Sequence, residues 1–265
     1  MKKIIPHSLL GAFFLFLIAI LLIFPLLFGV FKGIPQLPDA FKDPEVLFSL
    51  QLSIKTSLAS TVICIPLALI ATVFLYYSKI PAKATIKQLL TTPMSLPHIV
   101  LGIMILLFFG NQGIGPKLAP FGIDVVFTVQ GILLAQVIIN LPLVMEQIWA
   151  ALSKIQDKEI FLAKNLGATG FNLERFIIYP SIKRDILAAV IMCFSRALGE
   201  YGAVMMVAGT TRMKTELLPT AILLNMSTGN MERALSIATI LVLLAISLSF
   251  ISKLFVKDVK DNASD

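Results

Sequence analysis

Charge and reactive side chains are both scarce in this chain. Only 14% of its residues are charged, against about a quarter in soluble domains. There are two cysteines, Cys64 and Cys193, each inside an apolar run, and two histidines, His7 and His98. So few ligands exclude a His-based metal centre, and no Cys or His falls at metal-ligand spacing. Both cysteines read as buried packing residues. The chain has no G-x-x-x-x-G-K-[ST] phosphate loop, no H-E-x-x-H and no G-x-S-x-G. Nucleotide hydrolysis, zinc-peptidase and serine-hydrolase chemistry are therefore not expected of it, and neither is a bound cofactor.

What the chain has in quantity is apolar surface. Its residues are 57% hydrophobic, with 19 Phe, and the mean hydropathy is +0.91. Six runs reach about the 20 residues that a ~30 Å hydrocarbon core requires. They are residues 9–31, 57–77, 89–109, 125–145, 186–208 and 234–252. The first follows "MKK" but is too long for a signal peptide and lacks a small-x-small cleavage site. The expected fold is a single all-α membrane domain over residues 1–265 with six transmembrane helices.

Positive charge sets the orientation. With the N-terminus inside, fourteen Lys and Arg are cytoplasmic: Lys2, Lys3, Lys79, Lys83, Lys87, Lys154, Lys158, Lys164, Arg175, Lys183, Arg184, Lys253, Lys257 and Lys260. Six are outside: Lys32, Lys42, Lys117, Arg212, Lys214 and Arg233. Both termini are thus expected in the cytoplasm. The net charge of +7 is explained by topology, and a nucleic-acid partner is not implied.

The connecting segments differ in character. Residues 33–52 are polar, carry Pro35, Pro38 and Pro44, and are expected to end in a short surface helix. Residues 110–124 form a Gly/Pro-rich outer turn. Residues 209–233 are outer loop, and the tail after Lys257 is expected to fray. The cytoplasmic segment 146–185 is different. Ile155, Phe161, Leu162, Leu166, Phe171, Leu173, Phe176 and Ile177 recur at helical spacing. Gly167 suits a left-handed helix end and Thr169 suits the start of the next helix. Two short helices around a Gly bend are expected. They form either a membrane-surface pair or a docking surface for another protein.

The fifth run contains two full charges, Arg196 and Glu200. Spaced four apart, they are expected to share one helix face. Each charge costs roughly 2.5–3.5 kcal/mol at a membrane helix centre on insertion scales, so the pair must face helices or a water-filled path. Gly199 and Ala203 stand at small-xxx-small spacing, with Gly202 beside them, and permit close helix approach. Pro93, Pro97 and Pro142 break or kink the third and fourth runs.

The segment "KEIFLAKNLGATGFNLERFIIYPSIKRDIL" resembles the cytoplasmic loop that defines permease subunits of ATP-binding-cassette importers. Ala163, Leu166, Gly167, Ala168 and Pro180 match its pattern, and Phe176 fits an apolar position before the Pro. Where the family has Glu-Ala-Ala, this chain has Phe161-Leu162-Ala163, with Glu159 two positions earlier. "LPHIVLGIMILLFFGNQGIG", "QVIINLPLVMEQIWAAL" and "SRALGEYGAVMMVAG" resemble successive parts of the same permease type. The last is most similar to permeases for molybdate, tungstate, and sulfate or thiosulfate, and the resemblance implies molybdate or tungstate as the first expected cargo, with sulfate or thiosulfate as the alternative.

The resemblance implies a non-catalytic, multi-pass subunit of the cell membrane. It implies an ATPase subunit docked on the 146–185 coupling loop, an extracytoplasmic substrate-binding protein, and a homodimer. Under it Arg196 and Glu200 have two readings. They are a neutralised pair that fixes helix packing, or they lie near the conduction path, where Arg196 assists an anion and Glu200 tempers its affinity. No inverted repeat of the kind common in ion-driven transporters is apparent.

Overall fold

The computed structural model describes residues 8–261, and among these there are helices and turns but no strands. Lys2 and Lys3, on which the orientation partly rests, lie outside the described residues, as do residues 262–265. The longer helices are α1 (Ser8–Gly33), α2 (Pro44–Tyr77), α3 (Lys83–Thr91), α4 (His98–Phe109) and α5 (Val129–Leu152). They continue as α6 (Asp157–Asn165), α7 (Tyr179–Leu198), α8 (Gly202–Ala208), α9 (Leu218–Ser227) and α10 (Met231–Asp261).

Four of the described helices are long and apolar enough to cross a bilayer: Leu10–Ala40, Pro44–Tyr77, Val129–Leu152 and Met231–Ile251. The third expected span is broken instead. Lys83–Ser95 and His98–Phe109 are together long and apolar enough to cross, but they are bent by 108°. Leu96 is extended ahead of Pro97, because a residue before proline is pushed out of the helical region. The fifth expected span, 186–208, is also divided. α7 begins earlier, at Tyr179, stops at Leu198, and α8 restarts at Gly202.

Other boundaries move for local reasons. α2 starts at Pro44, well before residue 57, because Asp43 caps it by accepting the Glu45 N–H at 2.9 Å, with Pro44 in the first turn. The expected surface helix is therefore the first turns of α2. α5 starts later than expected, where Thr128 accepts the Gly131 N–H, and continues to Leu152. The segment 209–233, expected as a loop, contains α9. The tail stays helical through Asp261 rather than fraying at Lys257.

α2 is the central helix. Ser49, Ser53, Thr56, Ser57, Ser60, Thr61, Cys64 and Ala68 are all buried on it. These small side chains let α5 and α7 approach closely. Several of their hydroxyls bond locally: Thr61 Oγ1 donates to the Ser57 carbonyl at 2.7 Å, and Ser60 Oγ to the same carbonyl at 3.1 Å, while the Ser57 hydroxyl itself has no partner. Cys64 and Cys193 are both free and buried in the core shared by α2, α5 and α7. A second core joins α4, α5 and α8 around Leu101, Ile132, Ala203 and Val207. A third joins α9 and α10 to Ala40 and Val46. Among the long helices α1 packs chiefly on α10, and it leaves most of its apolar surface exposed.

Ion pairs mark the two ends of the bundle. At the end nearer residues 153–178, Lys87 pairs with Glu146 at 2.9 Å and Lys154 with Asp185 at 2.7 Å. At the other end Arg233 bridges Asp43 and Glu45, and Arg212 also reaches Glu45 at 3.2 Å. Beside this cluster Glu216 is 0% exposed. One of its oxygens accepts the Met213 N–H at 3.3 Å, and the other has no partner.

Burial raises the Glu216 carboxyl above its ordinary value; the Met213 N–H, Arg212 and Arg233 oppose this, and the Glu45 charge adds to it. A raised acid holds its proton longer in the folded state than in the unfolded one. Stability is then greatest below the unfolded pKa, about 4.3, and falls as pH rises toward the folded value. Wild type should lose thermal stability relative to Glu216→Gln as pH rises from that point. Melting curves in detergent across pH test this; parallel pH profiles would contradict it.

Candidate functional site: a broken helix and its charged bridge

The segment expected as a coupling loop has two distinct faces. Ile160, Ala163, Leu173 and Ile178 are buried against Ile148, Ala151 and Leu152 at the end of α5. Phe161, Leu162, Leu166, Phe171 and Phe176 are exposed, Leu166 by 89%. Glu159 is exposed at the surface, and Pro180 lies in the first turn of α7. The apolar residues read from the sequence as one face thus divide into an anchoring set and a free set.

The bend is at Gly167, with φ +86°. Its N–H donates to the Lys164 carbonyl, and the Ala168 N–H donates to the Ala163 carbonyl, both at 3.0 Å. This pair of bonds is the Schellman ending of a helix. Thr169 begins the next helix without using its side chain. That next helix is not a separate short piece. One turn at Gly170–Leu173 and one π turn at Glu174–Ile178 run directly into α7.

At the far end of α7 the chain breaks. Gly199, Glu200 and Tyr201 are non-helical, so Arg196 and Glu200 do not share a helix face as their spacing implied. Each reaches His98 instead. Glu200 Oε2 lies 2.8 Å from His98 Nδ1, and Arg196 Nη2 lies 3.1 Å from His98 Nε2. A guanidinium only donates. Nε2 must then accept, and Nδ1 carries the proton that it gives to Glu200. The geometry selects a neutral imidazole between a cation and an anion.

The backbone groups freed by the break are also satisfied. Glu200 is 2% exposed, and its Oε1 accepts the Ala203 N–H at 3.1 Å. Gln136 on α5 donates from Nε2 to the Ala197 carbonyl at 3.0 Å. A buried backbone group without a partner costs about as much as a lost hydrogen bond, so these side chains make the break tolerable.

Glycines bring the two breaks together. A Cβ on Gly202 would lie 3.1 Å from the His98 Cβ, and one on Gly102 would lie 2.8 Å from the Ala203 Cα. α4 and α8 therefore lie side by side with their starts at the same level. The Gly199–Ala203 spacing does not act as a helix-packing motif, because the break separates those residues. Gly199 is exposed at the break itself. Sequence reasoning missed His98, Gln136 and Gly102; the signal for His98 was an ionisable residue directly after Pro97 in an apolar run.

Comparison with known proteins follows this geometry. A family profile described as "Binding-protein-dependent transport system inner membrane component" matches residues 64–261. The sulfate transport system permease protein CysW of Synechocystis is 29% identical over 239 residues, covering 89% of this chain and 87% of that protein. The molybdenum transport system permease protein ModB of Mycobacterium bovis is 32% identical over 204 residues, covering 76% of each. The crystal structure of a bacterial alginate ABC transporter, in complex with its alginate pentasaccharide-bound periplasmic protein, superimposes with a TM-score of 0.74. It covers 93% of both chains at 16% identity, which is a likeness of fold.

Two outcomes are expected from the geometry. A Cβ on Gly167 meets nothing within 4 Å, so substitution acts through the left-handed backbone alone. Gly167→Val should expose Lys164 to faster trypsin cleavage, while Gly167→Asn stays near wild type because Asn tolerates that region. Equal cleavage of all three would contradict the bend. For the bridge, His98→Ala and Glu200→Ala should be non-additive by about 1 kcal/mol or more in a double-mutant cycle of stability. Additive effects would mean that the two side chains do not interact.

Proposed function

This chain belongs to the family of inner-membrane components of binding-protein-dependent transport systems, and we propose that it is the permease subunit of an ATP-driven importer of tetrahedral oxyanions. It is a multi-pass inner-membrane protein. One observation carries the substrate class. A relative named as a sulfate permease and one named as a molybdenum permease each align with three quarters or more of this chain. Both cargoes are tetrahedral oxyanions in solution. Sulfate therefore stands level with molybdate and tungstate, and the class replaces the ranking that put molybdate and tungstate first.

The exposed residues Phe161, Leu162, Leu166, Phe171 and Phe176 are the proposed seat for an ATPase subunit. Monomeric soluble surfaces rarely keep such apolar groups together without a partner. Glu159, Ala163, Gly167, Ala168 and Pro180 shape that seat rather than contact the nucleotide. An external binding protein delivers the anion at the opposite end, near Arg212 and Lys214. Both termini are cytoplasmic in this reading, six spans are counted by treating each broken helix as one crossing, and a second copy of the chain completes the pathway.

The helix that leaves the docking seat continues as α7, which carries Arg196 in its last turn. Movement of the seat would carry α7 with it, and the His98 bridge would pass that movement to α4 and α8. In this account Glu200 serves packing: it is buried and caps α8. Gly199 and Gly202 permit the break and the close approach.

The test is uptake into vesicles that hold this chain, its ATPase and its binding protein. Uptake should require ATP, and unlabelled sulfate, molybdate or tungstate should compete with labelled substrate. Robust uptake by the chain reconstituted alone, driven by an ion gradient, would support a secondary transporter and overturn the proposal.

A further inference from the structure

Arg196 is not neutralised where it stands. Glu200 spends both oxygens elsewhere, one on His98 and one on Ala203. The Arg196 guanidinium gives a single hydrogen bond, to His98. Its remaining N–H groups have no partner among the described residues, and the side chain is exposed.

Arg196 lines a cavity of about 470 Å³ between α5, α7 and α10. Arg196 is the one charged residue in its wall. The other polar groups there are Gln147 from α5, Ser195 from α7 and Ser249 from α10. Neither serine hydroxyl makes a hydrogen bond with the described residues. The Gln147 amide rests against the Met192 sulfur, a weak acceptor, and its Oε1 has no partner.

We propose that this cavity is a contact site for the transported oxyanion, with Arg196 supplying charge and Ser195, Ser249 and Gln147 supplying hydrogen bonds. The proposal rests on the oxyanion-permease reading above. The donors come from three helices and so surround a volume rather than a plane, which suits a tetrahedral ion. The guanidinium offers two parallel N–H groups to one edge of the ion. One cation against a dianion, aided by neutral donors, leaves binding weak enough for release, as conduction requires. His98 is the positioning residue. It holds Arg196 toward the cavity and keeps Glu200, an anion that would repel the cargo, on its far side.

Depth separates this site from a lipid headgroup site. Arg196 is eleven residues beyond Asp185, which pairs with Lys154 at the loop end of the bundle. That is ~16 Å along the helix, near the middle of a ~30 Å hydrocarbon core. A phosphate headgroup does not reach that level.

The test uses the full complex of this chain with its ATPase in nanodiscs. Tungstate is the probe for direct binding, because its electron density is strong. With phosphatidylcholine alone, or with added phosphatidylglycerol, tungstate density should appear beside Arg196. Lipid density that fills the cavity and excludes tungstate when phosphatidylglycerol is present would make it a headgroup site and overturn the proposal. Uptake gives the second readout. Ser249→Val lies outside the His98 bridge and should assemble normally, yet slow uptake about tenfold, the worth of one hydrogen bond to a charged group. Arg196→Gln should slow it further, and Arg196→Lys should recover part of the rate. If wild type transports an oxyanion while assembled Ser249→Val and Arg196→Gln stay within twofold of it, the site is wrong and the permease reading stands. If wild type carries no tetrahedral oxyanion, both fall.

Discussion

A helix that breaks in a buried core must find partners for the backbone groups it frees. That constraint organises the centre of this molecule. α7 stops at Leu198 and α8 restarts at Gly202, among the buried residues Ala197, Leu198, Glu200 and Ala203. Gln136 takes the Ala197 carbonyl and Glu200 takes the Ala203 N–H. Glu200 thereby brings a buried charge, which in turn needs His98, and His98 needs a donor on its other nitrogen, which Arg196 provides. Each side chain in the chain of contacts answers a need created by the one before.

The same contacts tie together parts that are distant in sequence. Gly102 and Gly202 allow α4 and α8 to touch, and both helices begin at the level of the bridge. From there α7 runs without interruption to the Gly167 bend through the π turn at Glu174–Ile178. π turns are rare and cluster at functional places. In the proposed importer, that continuous helix is the mechanical link between the ATPase seat and the site of passage.

Much of this was legible in the sequence because hydropathy and punctuation report local physics. Runs of about 20 apolar residues located α1, α2, α5 and α10, and Gly167 marked a left-handed helix end that is present with both its expected bonds. The break at Pro97 followed from the restriction on Leu96. Boundaries set by polar caps were missed where the cap lay outside the apolar run, as with Asp43 ahead of α2. The Arg196–Glu200 spacing misled because four residues make neighbours only if the helix continues, and Gly199 is where it does not. His98 was invisible as a partner, since its contacts span about a hundred positions and no periodicity encodes them.

The most direct test of this account is the state of the His98 ring. The chain has only two histidines, so a His7→Gln variant labelled with nitrogen-15 histidine yields one imidazole spectrum. The bridge requires a neutral ring with the proton on Nδ1 and a bare, hydrogen-bonded Nε2, and requires the Nε2 signal to shift in Arg196→Met. A ring protonated on Nε2, or one whose spectrum ignores the loss of Arg196, would contradict it.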